Sequence, residues 1–403
     1  MASPLSLGDV LRRFGSRLTQ APGGLPSAQV TVLSQLMRCH TAALGGHVYA
    51  CADCGHELVA YNGCGNRHCP SCLGGRSAKW LLDRRDELLP VPYFHVVFTV
   101  PEEVGRLALG NKKVLYSILF RAASETLLTL GADPKHLGAR LGFLAILHTW
   151  TQRLGHHPHV HCVVPGGGLS DGGAAWVPVR RPGFLLPIRV LSRLYRGKLL
   201  ALLDQARRDG ALQFGGSTTP LARDAAWTPW LRRLYRTEWV VYAKPPFGSP
   251  EQVLKYLARY THRVAISNAR LLSMDDERVQ FAYRDRAHGD RRRVLSLPGA
   301  EFVRRFLLHV LPRGLVRIRY FGFLANGQRT RLLAVARVLL AARLRSPSAV
   351  ARAPTPAAAA PERTRPGCPH CGSLRWRCVA DLARDERSTA APAQGRINLN
   401  DTS

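Results

Sequence analysis

The sequence predicts an α+β protein, and three observations carry that prediction. Between about residues 91 and 325, strand-like and helix-like patterns follow one another without the regular β-α-β alternation of a parallel sheet. Residues 1–90 are rich in cysteine and histidine, the composition of a small module stapled by metal. From about 326 to 403 the chain becomes Arg/Ala-rich and loses its pattern, and Arg345 to Pro366, RSPSAVARAPTPAAAAPERTRP, has the Pro/Ala/Ser content of a linker. The tail is therefore expected to be partly disordered. A length of 403 residues accommodates a full-sized core with one or two small modules, and no internal repeat is visible.

The middle region divides as follows. YFHVVFTVP (93–101) reads as a strand by its Val and Phe content and its closing proline. NKKVLYSILFRAASETLLTL (111–130) spaces apolar residues by three and four, as a helix does. GFLAILHTW (142–150) and HPHVHCVVP (157–165) read as two strands joined by the turn-prone TQRLGH, with a bend at Gly166 to Gly168 ending the second. LSRLYRGKLLALLDQARRD (191–209) is helix-like, and TEWVVYAK (237–244) is strand-like. EQVLKYLARYTHR (251–263) reads as helix, RVQFAYRDR (278–286) as strand and EFVRRFLLHVLP (301–312) as helix.

Charge narrows the function. Lys+Arg 57 against Asp+Glu 27 gives a net charge of +30, and only seven of the cations are lysines. A G+C-rich coding sequence would favour Arg over Lys but would not produce the excess of cations over anions. An anionic polymer is the economical partner, and arginine suits bidentate recognition of phosphate. The N-terminus, MASPLSLGDVLRRFGSRL, lacks a continuous apolar core, and no window reaches the ~18 apolar residues of a membrane span. A soluble, cytoplasmic, nucleoid-associated protein is expected, with its ten cysteines committed to metal rather than disulfides.

In CADCGHELVAYNGCGNRHCPSC, Cys51 and Cys54 form one CxxC knuckle and Cys69 and Cys72 another, fourteen residues on. Two such knuckles can wrap four thiolates around one tetrahedral Zn2+, so these four are the expected ligands. Cys39, His40, His47, Cys64 and His68 are further candidates, as bystanders, outer partners or ligands of a second ion. Arg67, Arg76, Lys79, Arg84 and Arg85 flank the knuckles and are candidate DNA contacts. Cys368-Pro-His-Cys371, with Cys378 beyond it, resembles half of a second zinc ribbon and would need His370 or another residue to complete it.

His156, His157, His159 and His161 fall within six positions of a chain that has 15 histidines. On a strand, His159 and His161 point the same way, forming a two-imidazole grip for a divalent ion left open to substrate oxygens. Gln152, across the turn, is the expected third ligand, with His148 and His157 as competitors. Two imidazoles and an amide carry no negative charge, so such a site would rely on substrate phosphate to complete a Mg2+ or Mn2+ shell.

Tyr256 and Tyr260 stand four apart in KYLARYTHR and project from one helix face, while Val253, Leu254 and Leu257 form an apolar stripe. Lys255, Arg259 and Arg263 lie close by and are candidate DNA-binding residues. A cationic surround favours phenolate and binds phosphate, both useful to a tyrosine nucleophile. Together the two features describe a chemistry in which a metal polarises a phosphodiester and a tyrosine attacks phosphorus, giving a 5′-phosphotyrosine and a free 3′-OH.

HPHVHCVVPGGGL, KYLARYTHRVAISNARL, ALGGHVYACADCGHELVAYNGCGNRHCPSC and EFVRRFLLHVLPRGLVRIRYFGFLAN together resemble the rolling-circle transposases of the insertion-sequence ninety-one family, which belongs to the His-hydrophobic-His endonuclease superfamily. The resemblance runs from about residue 30 to about 330. It implies a ferredoxin-like antiparallel sheet with His159 and His161 on a central strand and the tyrosine helix packed beside it. It also implies that these histidines are metal ligands, that Tyr256 and Tyr260 are nucleophiles, and that the substrate is single-stranded DNA at the ends of a mobile element and at its target. No GxxxxGK[ST] helicase motif is present, so unwinding would fall to host replication or helicase proteins. Two other readings fit parts of the pattern: a non-catalytic zinc-finger DNA-binding protein, and a rolling-circle replication initiator.

Overall fold

The computed structural model describes residues 5–20, 23–247, 252–253, 264–285, 288–344 and 367–385. In chain order the helices are α1 (Leu7–Thr19), α2 (Ser27–Met37), α3 (Pro70–Arg85), α4 (Glu102–Gly110), α5 (Lys112–Ala132), α6 (Ile188–Arg208), α7 (Asp224–Arg236), α8 (Gly299–Leu307) and α9 (Arg329–Leu344). The strands are β1 (Gly46–Cys51), β2 (Glu57–Tyr61), β3 (Tyr93–Thr99), β4 (Gly142–Trp150), β5 (His156–Pro165), β6 (Gly167–Leu169), β7 (Trp176–Pro178), β8 (Val241–Phe247), β9 (Leu271–Met274), β10 (Arg278–Asp285), β11 (Arg291–Pro298), β12 (Ile318–Gly322) and β13 (Trp376–Leu382).

The central sheet has five antiparallel strands in the order β12-β4-β5-β3-β8. Taken with their crossovers, β3, β4, β5 and β8 form β-α-β-β-α-β with strand order 2-3-1-4, the ferredoxin-like arrangement, and β12 adds an edge beside β4. Strands β3 and β4 are buried almost throughout, which explains why they read as unbroken apolar runs rather than alternating ones. One face of the sheet, with Phe94, Val96, Phe98, Phe143, Leu147, Val160 and Cys162, packs against α4, α5, α6 and α7 in the largest core. The opposite face carries Tyr93, Leu144, Ile146 and Val163, and a wholly buried Val253 packs on it.

Apolar residues from the N-terminal and middle regions share a core. Leu7, Val10, Phe14, Leu33 and Leu36 of α1 and α2 share a second core with Phe281, Leu297, Phe302 and Phe306 from β10, β11 and α8. The N-terminal helices are thus the lid of a meander, β11-β10-β9, that lies some 250 residues later in sequence. Ser6 starts α1 as a capping box with Asp9.

Most expected elements appear close to their expected bounds, and four differences stand out. Gly167 and Gly168, read as a bend, form β6, where Gly167 at φ 153 approaches the Val177 carbonyl too closely for any side chain. The helix expected at 301–312 runs only to Leu307. Arg329–Leu344, expected to be unpatterned, is α9, packing Leu332, Leu333, Ala336 and Leu340 against Leu89 and Phe323. The tail also contains β13, which pairs with β1 at the other end of the chain. Among the described residues no helix is long and apolar enough to cross a membrane.

Candidate metal centres and the histidine face

Among the described residues the cysteines form two four-membered clusters whose membership differs from the expected quartet. Cys39, Cys64, Cys69 and Cys72 come together, and Cys51, Cys54, Cys368 and Cys371 form a second group. The quartet Cys51, Cys54, Cys69 and Cys72 is therefore corrected: each knuckle is real, but they belong to different centres. The reason lies in the sheet. Strand β13 pairs with β1 and brings the tail knuckle against the Cys51 knuckle, Cys51 standing opposite Trp376. Meanwhile Cys69 stands immediately before α3, and Cys72 lies in its first turn, facing Cys39 just past the end of α2.

Sulfur spacing identifies the chemistry. Cys39 Sγ lies 3.5 Å from both Cys69 Sγ and Cys72 Sγ, and Cys64 Sγ lies 3.8 Å from Cys72 Sγ. In the other group Cys51–Cys371 and Cys54–Cys368 are each 3.6 Å apart. A disulfide needs about 2.05 Å, whereas the edge of a tetrahedron with Zn–S bonds of about 2.3 Å is about 3.8 Å. Both groups fit Zn2+. Without a cation the first cluster shares protons badly: hydrogen bonding with Cys64, then with Cys69 and Cys72, holds the Cys39 thiol far above its ordinary pKa, while the bond from Cys39 drives Cys72 far below it. Four thiolates around one dication resolve that conflict.

His40 and His68 serve the first centre rather than ligate it. His40, in the left-handed region at φ 54, holds its Nδ1 2.9 Å from the Tyr61 carbonyl. His68 lies between Asn66 Oδ1 and the Leu311 N–H, which ties the knuckle to the segment after α8. Arg67, expected at DNA, instead donates to the carbonyls of Leu315 and Pro312 at 2.7 Å each.

On the sheet face opposite the main core, three imidazoles converge. His148, His159 and His161 offer ligand nitrogens that all lie within 4.8 Å of one another. The β4–β5 register creates this: His148 pairs directly with His159, and Ile146 with His161, so positions 148, 159 and 161 share one face. Gln152, expected as the third ligand, lies in the turn past Trp150, and its backbone carbonyl accepts from Arg270. His148, the competitor read from the sequence, is the residue that strand register brings beside the histidine pair. His157, the other competitor, offers its carbonyl to His159 Nδ1 at 2.7 Å.

The backbone contact at Nδ1 orients the His159 ring. His161 is oriented similarly, its Nδ1 lying 2.8 Å from Nε2 of His95 on β3. His148 and His161 are buried and His159 is half-buried, so the centre opens on one side. No carboxylate joins it among the described residues. His95 was not anticipated, although a lone histidine inside the apolar run YFHVVFT, on the alternation that faces the histidine pair, was the available signal.

Tyr256, Tyr260, Lys255, Arg259 and Arg263 lie outside the described residues. Val253, just before them, is 0% exposed and packs on Tyr93, Ile146 and Val163, the same sheet face that carries the histidines.

Comparison with known proteins agrees with this picture. The family model "Putative transposase" matches residues 142–331, and "Transposase zinc-binding domain" matches residues 10–100. "Putative transposase y4qJ" of Sinorhizobium fredii (strain NBRC 101917 / NGR234) is 52% identical over 342 residues, covering 85% of this chain and 86% of that protein. The chain belongs to the insertion-sequence ninety-one family of rolling-circle transposases. The "Transposase for insertion sequence element IS801" of Pseudomonas savastanoi pv. phaseolicola is 29% identical to this transposase over 311 residues, 75% of this chain and 72% of that one. Among solved structures, a conjugative relaxase TrwC in complex with oriT DNA aligns with a TM-score of 0.25 and 17% identity over 43% of this chain and 67% of that one, a likeness too slight to establish a common fold. The matched transposase region contains the whole histidine cluster, and the zinc-binding match contains one half of each cysteine seam or more: all of Cys39, Cys64, Cys69 and Cys72, but only Cys51 and Cys54 of the second.

Proposed function

We propose that this transposase cleaves and rejoins single-stranded DNA through 5′-phosphotyrosine intermediates, in a reaction that depends on a divalent metal. The observation that carries this reading is the convergence of His148, His159 and His161 on one open sheet face, with Val253, at the start of the tyrosine segment, packed on the same face. One ring nitrogen from each of these histidines would hold Mg2+ or Mn2+, which would supply Lewis-acid polarisation of a phosphate oxygen. Because three neutral imidazoles bring no negative charge, the site favours substrates that carry their own, as phosphodiesters do.

Tyr256 or Tyr260 gives up its phenolic proton and its oxygen attacks phosphorus. The bond to the 3′ oxygen breaks, and that oxygen leaves as a 3′-OH after taking a proton. Lys255, Arg259 and Arg263 bind flanking phosphates and favour the phenolate. A second tyrosine lets a second strand be cut or accepted without release of the first. Zn2+ at the two cysteine centres is structural, and strand separation falls to host replication or helicase proteins.

The test uses 5′- and 3′-labelled single strands covering both ends of the mobile element, with Mg2+ or Mn2+ and with EDTA, resolved on a denaturing protein gel. A metal-dependent covalent adduct on the 5′ end of the downstream fragment, lost in the Tyr256→Phe/Tyr260→Phe double variant that still binds DNA, is the expected outcome. Binding of the correct ends without any adduct would overturn it in favour of a non-catalytic DNA-binding protein.

A further inference from the structure

We infer that His47, Cys378 and Asp381 form a third, surface-exposed Zn2+ site that fastens the C-terminal strand to the N-terminal module. This inference is independent of the cleavage chemistry proposed above. The three residues offer one nitrogen, one sulfur and one oxygen, and those atoms all lie within 4.8 Å of one another.

The backbone has been bent to bring them together. On a regular strand Cys378 and Asp381, three apart, would point to opposite faces. In β13 the pairing runs His47 with Asp381, Val48 with Ala380 and then Tyr49 with Cys378, so Val379 is the extra residue of a β-bulge. The bulge turns Cys378 onto the face that carries His47 and Asp381. Bulges re-aim side chains in this way beside functional sites.

The donors match the metal. Imidazole, thiolate and carboxylate are the ligands of tetrahedral zinc, and three protein ligands leave the fourth position to water. His47 Nδ1 and Asp381 Oδ1 are 2.6 Å apart and share a hydrogen. On metal binding the imidazole carries its proton on Nε2 instead, Nδ1 and the carboxylate oxygen both turn to the ion, and Cys378 loses its thiol proton to solvent. Cys378 is exposed and the Asp381 side chain is 83% exposed, so both can adjust without backbone movement. Cys378 has no place in either four-cysteine centre, which leaves its thiol for this one.

The site spans the same β1–β13 seam that the Cys51/Cys54/Cys368/Cys371 centre closes. One metal would hold the seam at its hairpin end and the other farther along it, where His47 and Asp381 pair. Binding here therefore favours the docked tail.

The experiment uses full-length protein carrying His159→Ala, which removes competition from the histidine face, loaded with only two equivalents of Zn2+ to fill the two four-cysteine centres and then titrated with Co2+. Expected are one further equivalent bound, a sulfur-to-cobalt charge-transfer band with the intensity of a single thiolate, and release of one proton per ion. Cys378→Ser should abolish the band, and Asp381→Asn should weaken binding by about tenfold or more. Circular dichroism and retention of both cysteine-bound zinc ions confirm that these exposed substitutions leave the fold intact. If no further equivalent binds, or the band survives Cys378→Ser because cobalt has exchanged into a four-cysteine centre, the site does not exist.

Discussion

His95 Nε2 lies 2.8 Å from His161 Nδ1, with the two rings stacked 5.0 Å apart and 9° from parallel. Both are buried, one on β3 and one on β5, with Val97 paired to His161 and His95 to Val163. A partner on the far nitrogen of a metal-binding imidazole fixes its tautomer and aim, and its loss typically costs 10–100-fold in metal affinity. His95→Ala should therefore weaken Mn2+ binding by about that factor while DNA binding without metal stays unchanged. His95→Gln, which keeps a polar group near Nδ1, should recover part of the loss. Isothermal titration of Mn2+ into the three proteins checks this, and equal affinities would show that His161 needs no such support.

Cys51 and Cys54 meet Cys368 and Cys371 in one four-cysteine cluster, and the metal it would hold can be counted. A chain ending at Leu344 loses Cys368 and Cys371, leaving one four-cysteine centre of two. Its cobalt-substituted form should show about half the sulfur-to-metal charge-transfer intensity of the full chain. Cys371→Ser should give a smaller, blue-shifted loss confined to that centre. Undiminished intensity after truncation would mean that Cys51 and Cys54 find other partners.

Acid should weaken the fold through two histidines, the half-buried His156 and the buried His309. Burial pushes both His156 and His309 down to about 3 from the ordinary value of 6.5. Tyr116 Oη lies 2.9 Å from His156 Nε2, and His309 sits between Thr149 Oγ1 and the Leu154 carbonyl at 3.2 Å each. The unfolded chain takes up these protons first, so their contribution is complete above pH 6.5 and is lost as pH falls from 6.5 toward 3. Each can contribute up to about 1.4 kcal/mol of destabilisation per pH unit in that window. Urea unfolding between pH 7.5 and 5 should show the decline, and His309→Asn should make it shallower.

Two glycines with nearly the same backbone angle should respond differently to alanine. Gly322, at φ +63, would place a Cβ 1.7 Å from the Leu141 carbonyl oxygen where β12 meets the end of β4. Gly314, at φ +75, has nothing within 4 Å. Gly314→Ala pays only for the left-handed backbone, about 1 kcal/mol, whereas Gly322→Ala also forces the edge strand off its partner and should cost more than about 3 kcal/mol. Thermal unfolding of the two variants distinguishes steric clash from simple backbone strain.

Periodicity in the sequence located β3, α5, β4, β5, α6, β8 and β10, because each carries a run long and regular enough to stand out. It failed on α9, whose Arg/Ala composition hides a packed stripe, and on β13, whose residues are mostly exposed. The histidine pair was visible because side chains on a strand alternate. That His148 stands beside the pair is not legible from spacing, because it depends on strand register, which shifts between His148 and Trp150. The zinc knuckles were legible as knuckles, since CxxC geometry is local.

By itself the sequence determined what is local or additive: a large positive charge, thiolates presented in CxxC pairs, two imidazoles on one strand face, two tyrosines on one helical period and the family to which these motifs belong. The tertiary structure decided which of these groups meet. It divided the cysteines between two centres by pairing β1 with a strand more than 320 residues later, placed His148 and His95 beside His161, and joined α1 and α2 to a distant meander. Such partnerships depend on long-range register and on burial of apolar faces from separate segments, and no spacing within one segment encodes them.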